Sequence, residues 1–96
     1  MSSETLARPY ARAIFEHSDG LLEELGQVVN VIHQPNVTTL IDSPKLAYKE
    51  KAEIFIDLFQ EEIQKKTAHF LRVLGNANRL SLLPEILHEY KKLLAK

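Results

Sequence analysis

Ninety-six residues, with 12 Lys and Arg against 13 Asp and Glu and a formal net charge of −1, amount to one small domain that buries about 60–65% of its unfolded surface. The near-balanced charge argues against nucleic acid or an anionic membrane as the main partner, and the absence of cysteine excludes a disulfide framework or a thiolate metal site. No apolar run approaches the ~18 residues of a membrane span, and the opening from Met1 to Thr5 has neither a signal-peptide core nor an Arg-rich transit character, so an intracellular, soluble protein is expected.

The pattern is helical from end to end. A first helix is expected from Thr5 or Arg8 to His17, with Pro9 in its first turn, where a missing N–H costs least. Along it the small Ala7, Ala11 and Ala13 alternate with the bulky Tyr10, Ile14 and Phe15. Small residues let a second helix approach closely, so this helix has one side for the core and another left over. Ser18-Asp19-Gly20 breaks the chain. Leu21, Leu22, Leu25, Val28, Val29 and Ile32 form the stripe of a second helix, which stops at Gln34-Pro35. The β-branched run from Val28 to Ile32 lies inside that stripe and does not read as a strand.

Asn36 is expected to cap a single turn through Val37, Leu40 and Ile41, ended by Asp42-Ser43-Pro44. A fourth helix spans about Ala47 to Phe59, with Ala52, Phe55, Ile56 and Phe59 inward and Ile54 and Leu58 beside them. A fifth spans about Lys66 to Gly75, with Phe70, Leu71 and Leu74 inward. Gly75 is the natural stop, Asn76 or Asn78 can take the left-handed conformation, and Arg79 either closes the turn by bonding to carbonyls, the favoured reading, or is a functional residue. The sixth runs from about Leu82 to Leu94, capped by Ser81, with Leu83, Ile86, Leu87, Tyr90 and Leu94 inward. Lys91 and Lys92 suit the negative end of its dipole. The expected fold is all-α: one compact bundle of five or six short helices over residues 1–96.

Catalytic chemistry finds no purchase. None of the four histidines is spaced i, i+4 from another, and Glu85-Ile-Leu-His88 is a single Glu-x-x-His where a di-iron bundle needs two. No metal is expected, and His88 reads as a solvated surface residue. No serine sits in a Gly-x-Ser-x-Gly turn; Ser43 and Ser81 precede helices, where capping explains both. The pairs Glu23-Glu24 and Glu61-Glu62 read as solvated surface. Three scattered glycines form no phosphate-cradling loop. Neither catalytic residues nor a cofactor are expected.

The functional signal is a surplus of small or apolar residues off the core stripes. On the first helix Ala7, Ala11, Ile14 and Ser18 share one line, and Tyr10, Ala13 and His17 an adjacent one. On the fifth, Val73 falls roughly 100° from the centre of the Phe70–Leu71–Leu74 stripe, beside His69 and Asn76. By periodicity alone these residues either widen the core or line a slot for a partner helix.

Two stretches carry a resemblance. Residues 7–16, Ala-Arg-Pro-Tyr-Ala-Arg-Ala-Ile-Phe-Glu, follow the pattern A-R-P-Y-A-K/R-A-I/L/F-F/Y-E/D position by position. Phe70-Leu-Arg-Val-Leu, followed by Asn78-Arg-Leu-Ser-Leu-Leu-Pro-Glu-Ile86, is similar to F-L-x-x-L…R-L-x-x-L-P-x-I. Both belong, in this order, to the delta subunit family of rotary ATP synthases, which includes the oligomycin-sensitivity-conferring protein, and between them the helical pattern agrees.

The resemblance implies the helical N-terminal domain of a non-catalytic stator subunit. In the family the groove between the first and fifth helices receives the N-terminal amphipathic helix of one alpha subunit. Here Tyr10, Ala13, His69 and Val73 occupy the matching positions, with Ile14, His17 and Asn76 beside them. Such a subunit links the catalytic head to the peripheral stalk and so supports proton-driven ATP synthesis. The resemblance further implies a monomeric domain without membrane insertion, working at the cytoplasmic face of a bacterial inner membrane. The b subunits are contacted through a C-terminal domain that a chain ending at Lys96 is expected to lack.

Two departures stand out. The Ser18-Asp19-Gly20 junction is shorter than the family's usual connection, which would alter the lower end of the groove. Asn78 stands where members often carry Gly or Lys. The alternative from another class is a generic helical-bundle regulatory or interaction module, including one associated with nucleic acid. A helix-turn-helix needs basic and amide side chains on its recognition helix, whereas the sixth helix begins Leu82-Leu83-Pro84-Glu85.

Overall fold

Pro9 lies inside the first helix and not in its first turn. The structure, a computed structural model, describes residues 3–17, 20–59 and 61–96, and its first helix, α1, spans Ser3–His17. Proline has no N–H to offer the Thr5 carbonyl, a loss that ordinarily costs about 3 kcal/mol inside a helix. The helix nevertheless continues, because Ala7, Ala11 and Ile14 on its inner face are buried. Five further α-helices follow among the described residues, and no strand: α2 Leu22–Ile32, α3 Pro35–Asp42, α4 Tyr48–Asp57, α5 Lys65–Asn76 and α6 Leu83–Leu94. A 3-10 turn, Leu80–Leu82, leads into α6. The all-α class is as the periodicity implies.

The chain divides into two compact units, Met1–Val29 with Leu82–Lys96, and Asn30–Ser81. In the first, α1 packs on α6. Its buried residues are Ala7, Ala11 and Ile14 of α1, Leu21, Leu25, Val28 and Val29 of the second stripe, and Leu82, Leu83, Ile86, Leu87 and Tyr90. The α6 stripe ends at Tyr90. Leu94, expected inward, is 44% exposed on the terminal turn, where Leu93 is the half-buried residue. Ser81 does not cap α6 either. It lies within the 3-10 turn, and the N-cap position falls to Leu82, which makes no side-chain cap. Pro84 relaxes the requirement, since it contributes no N–H to the first turn.

The second unit runs from the last residues of α2 through α5. α3 is a two-turn helix opened by Pro35, with Gln34 at the N-cap. Asn36 is therefore inside the helix and caps nothing, because the proline ring presets the first helical residue one position earlier. The Thr38 hydroxyl donates to the Ile32 carbonyl at 3.1 Å, tying the start of α3 to the end of α2. α4 packs on α5, and Ala52 and Phe55 of α4, Phe59 just beyond it, and Thr67, Leu71 and Leu74 of α5 are all buried. The Phe55 and Phe59 rings meet edge to face at 5.4 Å. Ile56 and Phe70, both expected inward, are only half-buried, and Ile54 and Leu58 are exposed.

The turn after α5 corrects one expectation and meets another. Gly75 does not end the helix, which continues to Asn76; glycine is there because a β-carbon would run into Ala52 of α4. The stop is Asn78, left-handed at φ 59°. Its N–H donates to Gly75 O at 2.9 Å, and the Arg79 N–H donates to Leu74 O at 2.8 Å. This pair of bonds is the Schellman closure, so Arg79 closes the turn through its backbone. Between α1 and α2, Gly20 has φ 74°, as a break there requires. Ser18 and Asp19, and with them the expected shortening of the junction, lie outside the described residues.

Candidate partner-binding surfaces

On α1 the outer line begins with Tyr10, half-buried, and continues through Ala13 and His17, both exposed. Positions i, i+3 and i+7 share one helix face, so these residues form one strip. Ile14 does not belong to it. At 4% exposure it is core, one helical step after Ala11 on the buried line, and offers a partner almost no surface. Phe15, by contrast, is an exposed aromatic, and Arg12 pairs with Glu16 at 3.8 Å on the solvent side.

On α5, His69, Val73 and Asn76 stand at i, i+4 and i+7, which also share one face, and all three are exposed. Val73 is the apolar member, 44% exposed on a helix whose buried face is filled by Thr67, Leu71, Leu74 and Gly75. Beside it Arg72 forks onto Glu53 of α4, with Nε 2.7 Å from Oε2 and Nη2 3.1 Å from Oε1. That hydrogen bond, with the guanidinium charge, holds the Glu53 carboxyl below its ordinary value of 4.5 and raises Arg72 above its own. The pair braces the exposed sides of α4 and α5 and leaves Val73 uncovered.

Two buried charges escape the periodicity reading. Glu89 on α6 is 6% exposed. Arg8 Nε reaches its Oε1 at 3.2 Å, and Lys92 Nζ stands 2.9 Å from Oε2, off the line of a well-formed hydrogen bond. Lys92 is the largest influence holding the Glu89 carboxyl below its usual value; burial opposes it and Arg8 adds to it. Lys51 on α4 is 7% exposed. Tyr48, Lys51, Ala52, Phe55 and Phe59 fall at helical core spacing, so the pattern itself places a charged residue within an otherwise apolar and aromatic stripe. Among the described residues no group of three or more His, Cys, Asp or Glu could hold a metal ion, and no helix is long and apolar enough to cross a membrane.

The family model of the ATP synthase delta (OSCP) subunit matches residues 6–96. The chain belongs to this family. Its relatives include proteins named ATP synthase subunit delta from Thioalkalivibrio sulfidiphilus, 37% identical over 96% of this chain and 55% of the relative, and from Hahella chejuensis, 37% identical over 98% and 56%. The Azotobacter vinelandii protein of the same name is 32% identical over 95% and 54%. The chain thus spans about half the length of the curated relatives it matches. No solved structure matches it.

Proposed function

We propose that the chain works as a non-catalytic stator component of a rotary ATP synthase, its residues 1–96 serving as the N-terminal domain that takes the N-terminal amphipathic helix of an alpha subunit. The observation that carries this reading is the uncovered Val73 strip on α5, with His69 and Asn76 on the same line. Tyr10, Ala13 and His17 on α1 supply a second strip, spaced i, i+3 and i+7. Helix-in-groove recognition takes apolar anchors spaced i, i+3/i+4 and i+7 on the incoming helix, and both strips have that spacing. Family membership supports the choice of partner, since the relatives are named as ATP synthase subunits.

The physical job is passive. A catalytic head turned by its rotor must be held by something that does not yield, and short helices with packed alanine and leucine faces deform little. In this reading the domain is a monomer outside the bilayer, on the cytoplasmic face of a bacterial inner membrane. Contact with the b subunits belongs to the part of the relatives' length outside this chain.

Val73→Asp tests the reading with a synthetic alpha-subunit N-terminal peptide. An unpaired carboxylate covered by an apolar helix costs several kcal/mol, so the peptide should bind about a hundredfold more weakly or worse. In the free domain the new carboxylate still meets water, so folding should weaken by only about 1 kcal/mol. Unchanged affinity places the site elsewhere, and a variant that unfolds places Val73 in the core.

A further inference from the structure

A cleft of about 320 Å3 opens within the second unit, walled by the end of α3, the first turn of α4 and the turn after α5. It lies at the small end of the range for ligand pockets. Six side chains give the wall its chemistry: Asp42, Ser43, Tyr48, Lys51, Asn78 and Ser81. Lys51 decides its character. Lysine is almost never so buried unless paired, yet among the described residues its ammonium forms no ion pair. Its recorded contact is the Tyr48 ring, whose centroid is 5.7 Å from Nζ. A positive charge is thus held at the cleft wall with its stem buried and, among the described residues, no carboxylate in ion-pair contact with it.

The surroundings add donors. Tyr48 and Lys51 stand on the first turn of α4, where the N-cap Ala47 makes no side-chain bond, and the positive end of the helix dipole lies at the same wall. The Ser43 hydroxyl accepts from the Lys45 N–H at 3.3 Å, which leaves its proton available to donate. Asn78 is fixed at φ 59° by the Schellman closure, and its side-chain amide adds both a donor and an acceptor to the wall. Asp42 is the exception. A carboxylate in the wall disfavours a dianion, and it accepts a hydrogen bond from any donor beside the ligand's own charge.

We propose that this cleft binds a single carboxylate carrying an N–H beside it, with the carboxylate on Lys51 and the N–H on Asp42. That chemistry is found in a free N-acylated amino acid and in an acidic side chain within a peptide. The site is separate from the Val73 strip and does not depend on the stator reading.

The test is amide NMR of the 96-residue chain titrated with three probes: N-acetylglycine, the blocked tripeptide acetyl-Ala-Glu-Ala-amide, and inorganic phosphate. Saturable shifts at Ser43, Lys51, Asn78 and Ser81 are expected with the carboxylates. Tighter binding of N-acetylglycine identifies a free small acid, and tighter binding of the tripeptide identifies a peptide. Phosphate binding as tightly as either carboxylate overturns the assignment, and so does the absence of saturable shifts with both carboxylates. Lys51→Met keeps the apolar stem and should bind at least about tenfold more weakly, while Lys51→Arg stays within about threefold. Undiminished binding by Lys51→Met overturns the proposal; if that variant does not fold, Lys51→Gln takes its place.

Discussion

Gly75 of α5 and Ala52 of α4 approach so closely that a β-carbon on Gly75 would overlap the Ala52 β-carbon, with the Ala52 Cα 3.3 Å away. Both partners are fixed to backbone, so no rotamer can relieve the overlap. Alanine in place of glycine gains up to about 1 kcal/mol of helix propensity, against about 1–3 kcal/mol for overpacking. Gly75→Ala should therefore lower stability in urea denaturation by about 1 kcal/mol, and Ala52→Gly in that background should recover part of it. A Gly75→Ala variant more stable than the parent would show that the helices are not in contact there.

Ile14 and Ala13 are neighbours in sequence with opposite fates. Ile14→Ala empties a buried site and should cost about 2–4 kcal/mol, whereas Ala13→Ser, on the exposed strip, should stay within about 0.5 kcal/mol. Thermal unfolding of the two variants separates them. Equal losses would mean that Ala13 is also core.

The Glu89 cluster has a pH signature. Its carboxyl is held below the ordinary 4.5 by Lys92 and Arg8, so its folded pKa is lower than its unfolded one. The stability it adds is present above about 4.5 and is lost as pH falls through the depressed folded value. Glu89→Gln should be less stable than the parent at neutral pH, and the gap should close as pH falls through the depressed folded value. A gap that stays constant from pH 7 to 3 would sink the assignment.

Asn78 holds a left-handed conformation, φ 59°, that costs most side chains roughly 1–2 kcal/mol. Asn78→Gly should be neutral within about 0.5 kcal/mol, and Asn78→Ala should lose about 1 kcal/mol. Differential scanning calorimetry gives the order directly; an alanine variant as stable as the glycine one would contradict the Schellman closure.

The helical class was readable because the core stripes repeat at 3.6 residues, and the Leu71–Leu74 and Leu83–Tyr90 faces came out as drawn. What escaped depends on partners that no local pattern contains. Gly75 has the sequence look of a stop, and only the proximity of Ala52 shows that it is a contact. Asn36 resembles a cap until Pro35 is seen to open the helix first. Ile14 could have belonged to either face of α1, since alanines flank both, and burial assigns it to the core. Of the candidate strip, Val73, His69 and Asn76 are legible as residues left off a stripe. Lys51 and Glu89 are not legible as buried, because a charge at stripe spacing is usually solvated, whereas these two residues are 7% and 6% exposed.

The pairing of α1 with α6 has a consequence during synthesis. Arg8 and Glu89 are 81 positions apart, so α1 waits for α6 to be made before that helix can cover its inner face. At about 5–20 residues per second that delay is several seconds, against the microseconds or less in which a helix forms. Residues 30–81 have their helix partners close behind them in the chain and can pack as they emerge. The nascent polypeptide therefore carries the face of Ala7, Ala11 and Ile14 without its α6 cover while the residues between the two helices are made, a natural landing place for a chaperone.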